Sequence, residues 1–256
     1  MTTEEIIAHC RELLDLLPAQ ALARAKARHP HIGGFGVFPV YAPLEVIHAA
    51  GLMPVGLFGA GGKIELSHAE SRFQSFICSI AKSTLELFLR GDMDAFTGVV
   101  FSSICDVARN LASIVKRNAP NHYVEYLHLP QNLYSAGSSA YTRAEFERFR
   151  TNLSSRIGRP ITDETINRSL ELYNKVRRIT RALYEHRRKY TGAIAAADLY
   201  AVVQAGTRMM PEDFAPLLEE LFEQVAARKT RARDVARVVI DGAFCELPPL
   251  GLIEVI

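Results

Sequence analysis

The chain has 256 residues, 48% of them hydrophobic and 23% charged, an ordinary globular composition that excludes a disordered, collagenous or fibrous protein. Lys and Arg total 30 against 28 Asp and Glu, a formal net charge of +2, too balanced for a dedicated binder of nucleic acid or of an anionic membrane surface. The first residues (MTTEEIIAHCREL) carry acids and no apolar signal core. The longest apolar runs, FTGVVF from Phe96 and GAIAAA from Gly192, fall short of the ~20 residues that span a bilayer. The expectation is a cytoplasmic chain with reduced thiols, no transmembrane helix, and neither nucleic acid nor membrane as a partner.

Thr3 to Arg28 has apolar residues at helical spacing, interrupted by Pro18. Ile32 to Tyr41 reads as a buried strand, Leu44 to Ala50 as a short helix entered through Pro43, and Met53 to Phe58 as a second strand closed by Gly59-Ala60-Gly61-Gly62. Ser71 to Leu89 is expected to be helical and to stop at Gly91. Phe96 to Ser103 has the composition of a strand buried on both faces. Asp106 to Lys116 is again helix, and His122 to Leu129 again strand.

Strands and helices alternating at this spacing predict an α/β fold with a parallel, Rossmann-like sheet and right-handed crossovers. Residues 1–130 are read as one α/β domain with an N-terminal helix. Residues 131–230 form a helical middle section, in which Glu145 to Arg156, Glu164 to Tyr190, Ala195 to Val203 and Glu212 to Ala227 all show helical periodicity. Residues 231–256 start a second α/β domain: Val235 to Ala243 is expected as a strand, followed by a helix after Pro248-Pro249. A strand and half a helix cannot bury their own apolar faces, so this last domain is read as incomplete and the chain as cut short.

Cys105 follows a strand and precedes a helix, which places it at the carboxyl edge of a parallel sheet, where ligands gather. A helix N-terminus stabilises negative charge, which suits a thiolate there. Cys78, in SRFQSFICSIAKS, belongs to a segment expected at the same edge. Spacing alone leaves two readings open for the pair, metal ligands or buried core thiols, because no CxxC or four-cysteine run is present. Cys245, in DGAFCELPP, repeats the strand, cysteine, helix order and carries the same two readings. Cys10, in a helix outside the sheet, reads as structural.

The glycines do not predict a nucleotide site. Gly34-Phe35-Gly36 meets Pro39 where a dinucleotide fingerprint wants glycine, and Gly59 to Lys63 is followed by Ile64 where a P-loop wants Ser or Thr. His48, His68, His122 and His128 are candidate acids or bases near neutral pH, with hydrogen-bonded structural roles as the commoner alternative. His48 and Glu45 sit three apart on one helix face and read as a surface pair. Arg177, Arg178, Arg181, Arg187, Arg188 and Lys189 make the long middle helix basic toward its C-terminus, where the macrodipole favours cations. A second reading of these residues is a landing surface for the phosphates of a coenzyme A thioester.

Three stretches taken together, YAPLEVIHAAGLMP from Tyr41 to Pro54, FICS around Cys78 and SICD around Cys105, resemble the 2-hydroxyacyl-CoA dehydratase/benzoyl-CoA reductase family in order and spacing. The likeness runs through the whole chain and includes GAFCE before the double proline. It implies a subunit in which three cysteines hold a [4Fe–4S] cluster, with Cys78 and Cys105 as two of the ligands. The third family ligand lies in a second α/β domain beyond Ile256 and is not matched by Cys245; a full member is longer by about a domain, ~100–150 residues.

The likeness further implies an oxidoreductase, the smaller cluster-bearing subunit of an ATP-dependent reductase of benzoyl-CoA in anaerobic aromatic degradation. Its implied partners are the other reductase subunits, including an ATP-hydrolysing activator pair, with ferredoxin as electron donor. Two alternatives stay open: a subunit that dehydrates a 2-hydroxyacyl-CoA, and a metal-free scaffold or assembly subunit.

Overall fold

The computed structural model describes residues 1–231, 238–242 and 247–256. They divide into two compact units: Leu17–Ser169 forms one, and Met1–Leu16 joins the described residues from Leu170 onward in the other.

The first unit is built on β1 (Gly33–Phe38), β2 (Leu52–Gly56), β3 (Phe96–Ser102) and β4 (Tyr123–Leu127). All neighbours are parallel and the order is β2-β1-β3-β4, with Gly36 beside Val55 on one side and Val99 on the other. The direction of winding reverses between β1 and β3, so a crevice opens at their carboxyl ends. β2 and β3 are apolar and buried almost throughout, which is why their sequences do not alternate.

Helices α3 (Leu44–Ala49) and α6 (Ser138–Ile157) cover one face: Val46, Ile47, Phe149 and Leu153 share a core with Phe35, Val37 and Leu127. The Phe149 ring lies 6.0 Å from Phe35, and burial of each such side chain contributes ~1.5–3 kcal/mol. Helices α4 (Ser79–Leu89) and α5 (Asp106–Asn118) pack on each other, and α5 packs on β3 and β4. Right-handed crossovers place these two on the opposite face from α3. Helix α2 (Pro18–Lys26) starts on Pro18, whose fixed φ suits a first helical position, and packs on β2.

The second unit buries one face each of α1 (Thr3–Asp15), the later part of α7 (Asp163–Lys189), α8 (Ala196–Ala205) and α9 (Pro211–Ala226). Ile6, Cys10 and Leu13 meet Leu183, Leu199, Val202, Leu218 and Leu221 in its core. A capping box of Thr2 and Glu5 starts α1, and Arg208 donates to the carbonyl of Leu16 just past its end at 2.9 Å. Helix α10 (Leu250–Val255) packs on α8.

The α/β class agrees with expectation, and several details differ. The units do not divide at 130 and 230: α1 buries its stripe among helices, and α6 buries Phe149 and Leu153 on the sheet. Helix α4 begins at Ser79 instead of Ser71, after a loop with one 3₁₀ turn at Ala69–Ser71. The carbonyl of Ser75 accepts from the Lys82 ammonium at 3.1 Å, so a tertiary bond replaces the helical one it was expected to make. The expected strand from Val235 to Ala243 lies partly outside the described residues. Residues 238–242 are not strand, and Val238, Val239 and Ile240 are exposed with no ladder beside them.

Candidate functional site

Cys105 is the N-cap of α5, and Cys78 is the N-cap of α4. Helix α5 runs back against β3 and α4 packs beside α5, so in a right-handed parallel sheet both N-termini stand toward its carboxyl edge. Both thiols are exposed, which removes the core-thiol reading for this pair. Cys10 is buried instead, and burial pushes its thiol up to about 12, as befits an inert core residue. Cys245 lies outside the described residues.

The approach to Cys105 is pinned at several points. Ser102 Oγ donates to the carbonyl of Val40 at 2.7 Å, tying the ends of β3 and β1 together. Ser103 donates its amide to Leu127 at 3.0 Å, and its Oγ accepts from the amide of Leu129 at 2.7 Å. Cys105 Sγ accepts from the amide of Ala108 at 3.4 Å, within the first turn of α5. Beside Val40, Tyr41 has φ 64°, a left-handed conformation that costs a bulky residue free energy and marks strain at this edge. Sequence reasoning had no signal for Ser102 or for the strain at Tyr41, since both depend on β1 and β3 becoming neighbours.

The approach to Cys78 is held from α4. Gly59 has φ 71°, and an added Cβ there would lie 2.4 Å from Ser83 Oγ and 3.1 Å from the Ile80 backbone, so only glycine fits. Ala60 donates its amide to Ser83 Oγ at 3.1 Å. Gly59 and Ala60 are therefore packed closely against α4, whereas Gly61 and Gly62 are exposed. Glu86, fully buried on α4, accepts from the amides of His68 at 2.9 Å and Ala69 at 2.7 Å and from His68 Nδ1 at 2.7 Å. Burial would raise its carboxyl, but these bonds outweigh that and hold it below the usual carboxylate range.

The other histidines separate by position. His122 donates Nε2–H to the carbonyl of Met93 at 2.9 Å, and His48 Nδ1 lies 2.9 Å from Ser169 Oγ, so His48 reaches α7 rather than forming only a surface pair with Glu45. His128 lines a cleft of about 490 Å³ beyond the ends of β3 and β4, with Ser103, Arg109, Asn132 and Tyr141. Arg109 stands one turn after Cys105 on α5. In the helical unit, Arg178, Arg181, Arg188 and Lys189 line a separate cleft of about 810 Å³ floored by Ala182 and Phe222. Arg177 instead sits over the Tyr173 ring at 5.7 Å, and Arg187 donates to the carbonyl of Ile194 at 3.2 Å.

Among the described residues, no group of three or more His, Cys, Asp or Glu side chains is placed to hold a metal ion. The two exposed thiols at the N-termini of α4 and α5 are of the soft sulfur donor type that iron–sulfur groups take. No helix among the described residues is long and apolar enough to cross a membrane.

The described fold thus contains a parallel α/β unit with two exposed cysteines at the N-cap positions of α4 and α5. The family model described as 2-hydroxyglutaryl-CoA dehydratase, D-component, matches residues 39–256, and the chain belongs to that family. It is 37% identical to the C-subunit of benzoyl-CoA reductase from Thauera aromatica, over 99% of this chain and 66% of that protein. It is 30% identical to the beta subunit of lactoyl-CoA dehydratase from Anaerotignum propionicum, over 84% of this chain and 56% of that protein. Identity to the beta subunit of (R)-2-hydroxyglutaryl-CoA dehydratase from Acidaminococcus fermentans is 29%, over 90% of this chain and 60% of that protein. The chain thus spans a little over half to two thirds of the length of these relatives.

Proposed function

We propose that this chain acts as the iron–sulfur subunit of an ATP-dependent benzoyl-CoA reductase in the cytoplasm, with Cys78 and Cys105 as two ligands of a [4Fe–4S] cluster. The observation that carries this reading is their placement. Two cysteines distant in sequence both cap neighbouring helices, exposed, at one sheet edge. The cluster, when bound, supplies one-electron transfer at low potential toward the aromatic ring, which is reduced to a cyclohexadiene-carbonyl-CoA.

The chain's own residues orient and protect. Ser102 and Ser103 fix the turn that presents Cys105, and the first amides of α4 and α5 favour negative charge beside the thiolates. The remaining ligation comes from outside the described residues. The cleft lined by Arg178, Arg181, Arg188 and Lys189 has a cationic excess suited to the phosphates of coenzyme A, although Glu185 also lines it and pairs with Arg188 at 2.9 Å. ATP hydrolysis belongs to a separate activator pair, and ferredoxin is the electron donor to the complex. The 37% identity to a benzoyl-CoA reductase subunit, against 30% and 29% for the dehydratase subunits, favours reduction over dehydration.

The test is anaerobic purification of the complex containing this chain, with iron and sulfide analysis and low-temperature EPR. An assay on benzoyl-CoA against a 2-hydroxyacyl-CoA follows. Bound iron with ring reduction is expected. Dehydration of the 2-hydroxyacyl-CoA alone would make the chain a dehydratase subunit, and an iron-free chain with wild-type assembly would make it a scaffold.

A further inference from the structure

Lys82 is placed against the ordinary electrostatics of a helix. It lies in the second turn of α4, near the positive end of the helix dipole, where a cation is disfavoured. Its side chain is only 9% exposed, and a buried ammonium costs several kcal/mol to desolvate unless a counter-charge faces it. The nearest carboxylate is Glu70, 4.0 Å away and 67% exposed, a partner of the weak surface kind. Glu86, one turn further along α4, gives its oxygens to His68 and Ala69. The ammonium instead donates to the carbonyl of Ser75 at 3.1 Å, three residues before Cys78, while the Lys82 amide donates to the Cys78 carbonyl at 3.3 Å.

We propose that Lys82 is a positioning residue for Cys78: its ammonium ties down Ser75, ends the loop so that Cys78 takes the N-cap position of α4, and adds positive charge to the loop that presents the thiol. The inference rests on the reading of Cys78 as a cluster ligand. Two effects follow from one side chain. The tether to Ser75 sets where the thiol stands, and the charge favours an iron–sulfur group in its reduced, more negative state. A lysine buried only to fill space would do neither.

The experiment uses the anaerobically purified complex with Lys82→Met, Lys82→Gln and Lys82→Arg in this chain, and Cys78→Ala as reference. Readouts are iron content, the midpoint of an EPR-monitored redox titration, and hydrogen exchange of residues 72–78. Lys82→Met is expected to lose most of the cluster iron and to exchange residues 72–78 faster. Lys82→Gln keeps a donor for Ser75 and is expected to retain iron with the midpoint shifted to lower potential. Lys82→Arg should restore both. Wild-type iron and exchange in Lys82→Met overturn the tether, and an unshifted midpoint in Lys82→Gln overturns the charge. If Lys82→Met fails to fold, the Gln and Arg pair decides the proposal by the midpoint alone. Iron retained in full by Cys78→Ala would instead overturn the ligand reading on which the proposal rests.

Discussion

Ser102 Oγ donates to the carbonyl of Val40 at 2.7 Å, a bond between the carboxyl ends of β3 and β1 at the point where the sheet reverses its winding. Ser102 is buried, and its partner is the residue before strained Tyr41. The bond ties the ends of the two strands together. Ser102→Ala should therefore destabilise the protein by about 1 kcal/mol, the cost of losing the bond to a half-buried acceptor. Equilibrium unfolding in urea checks it, and an unchanged midpoint would show that the Val40 carbonyl finds another donor.

On the proposed reading, Cys105→Ala should abolish cluster iron in the anaerobically purified complex, because the pinned turn from Ser102 to Cys105 presents no other thiol among the described residues. Cys10→Ala should leave iron content at the wild-type level, since Cys10 is enclosed in the helical core. Iron analysis with low-temperature EPR reads both variants. Full iron and an unchanged signal in the Cys105 variant would end its assignment as a ligand.

This chain alone should show no saturable binding of Mg-ATP. Gly59 to Lys63 lacks the Lys-Ser/Thr ending of a phosphate cradle, and two of its amides are already bonded, Ala60 to Ser83 Oγ at 3.1 Å and Lys63 to the Ala60 carbonyl at 2.9 Å. Equilibrium dialysis measures this, and micromolar saturation would overturn it.

Acid should unfold the α/β unit partly through Glu125. Burial would raise this carboxyl, but bonds from Tyr123, from Arg148 at 2.7 Å and from Asn152 at 3.1 Å outweigh it and hold it below its ordinary value of 4.5. A carboxyl depressed in the folded state contributes stability that is complete above pH 4.5 and is lost as pH falls through the folded value. Glu125→Gln should lower stability at pH 7 and flatten its decline below pH 4.5 relative to wild type. Denaturant midpoints measured from pH 7 to pH 3 test the sign; an identical acid slope in both proteins would refute it.

Local pattern was enough for much of this architecture. Apolar runs located β1, β2 and β3, because buried parallel strands write themselves as continuous apolar segments, and β4, the half-buried edge strand YVEYL, was located by its β-forming residues after α5. Pro18 marked the break between α1 and α2, and the strand, cysteine, helix order placed Cys105 at the carboxyl edge. What sequence periodicity could not supply was anything that depends on which elements meet. The apolar stripe of α1 is as consistent with a sheet as with helices, and only packing against Leu199 and Leu221 decides. The apparent helix from Ser71 begins only at Ser79, and the Ser75 carbonyl accepts from the Lys82 ammonium on α4, a bond that exists only once the loop has folded over the helix. Cys78 thereby becomes an exposed cap. The sequence by itself determined which residues can act as ligands, since that is a matter of side-chain chemistry; tertiary structure decided where they stand, since hydrogen bonds between distant segments, not local propensity, set the ends of helices at a sheet edge.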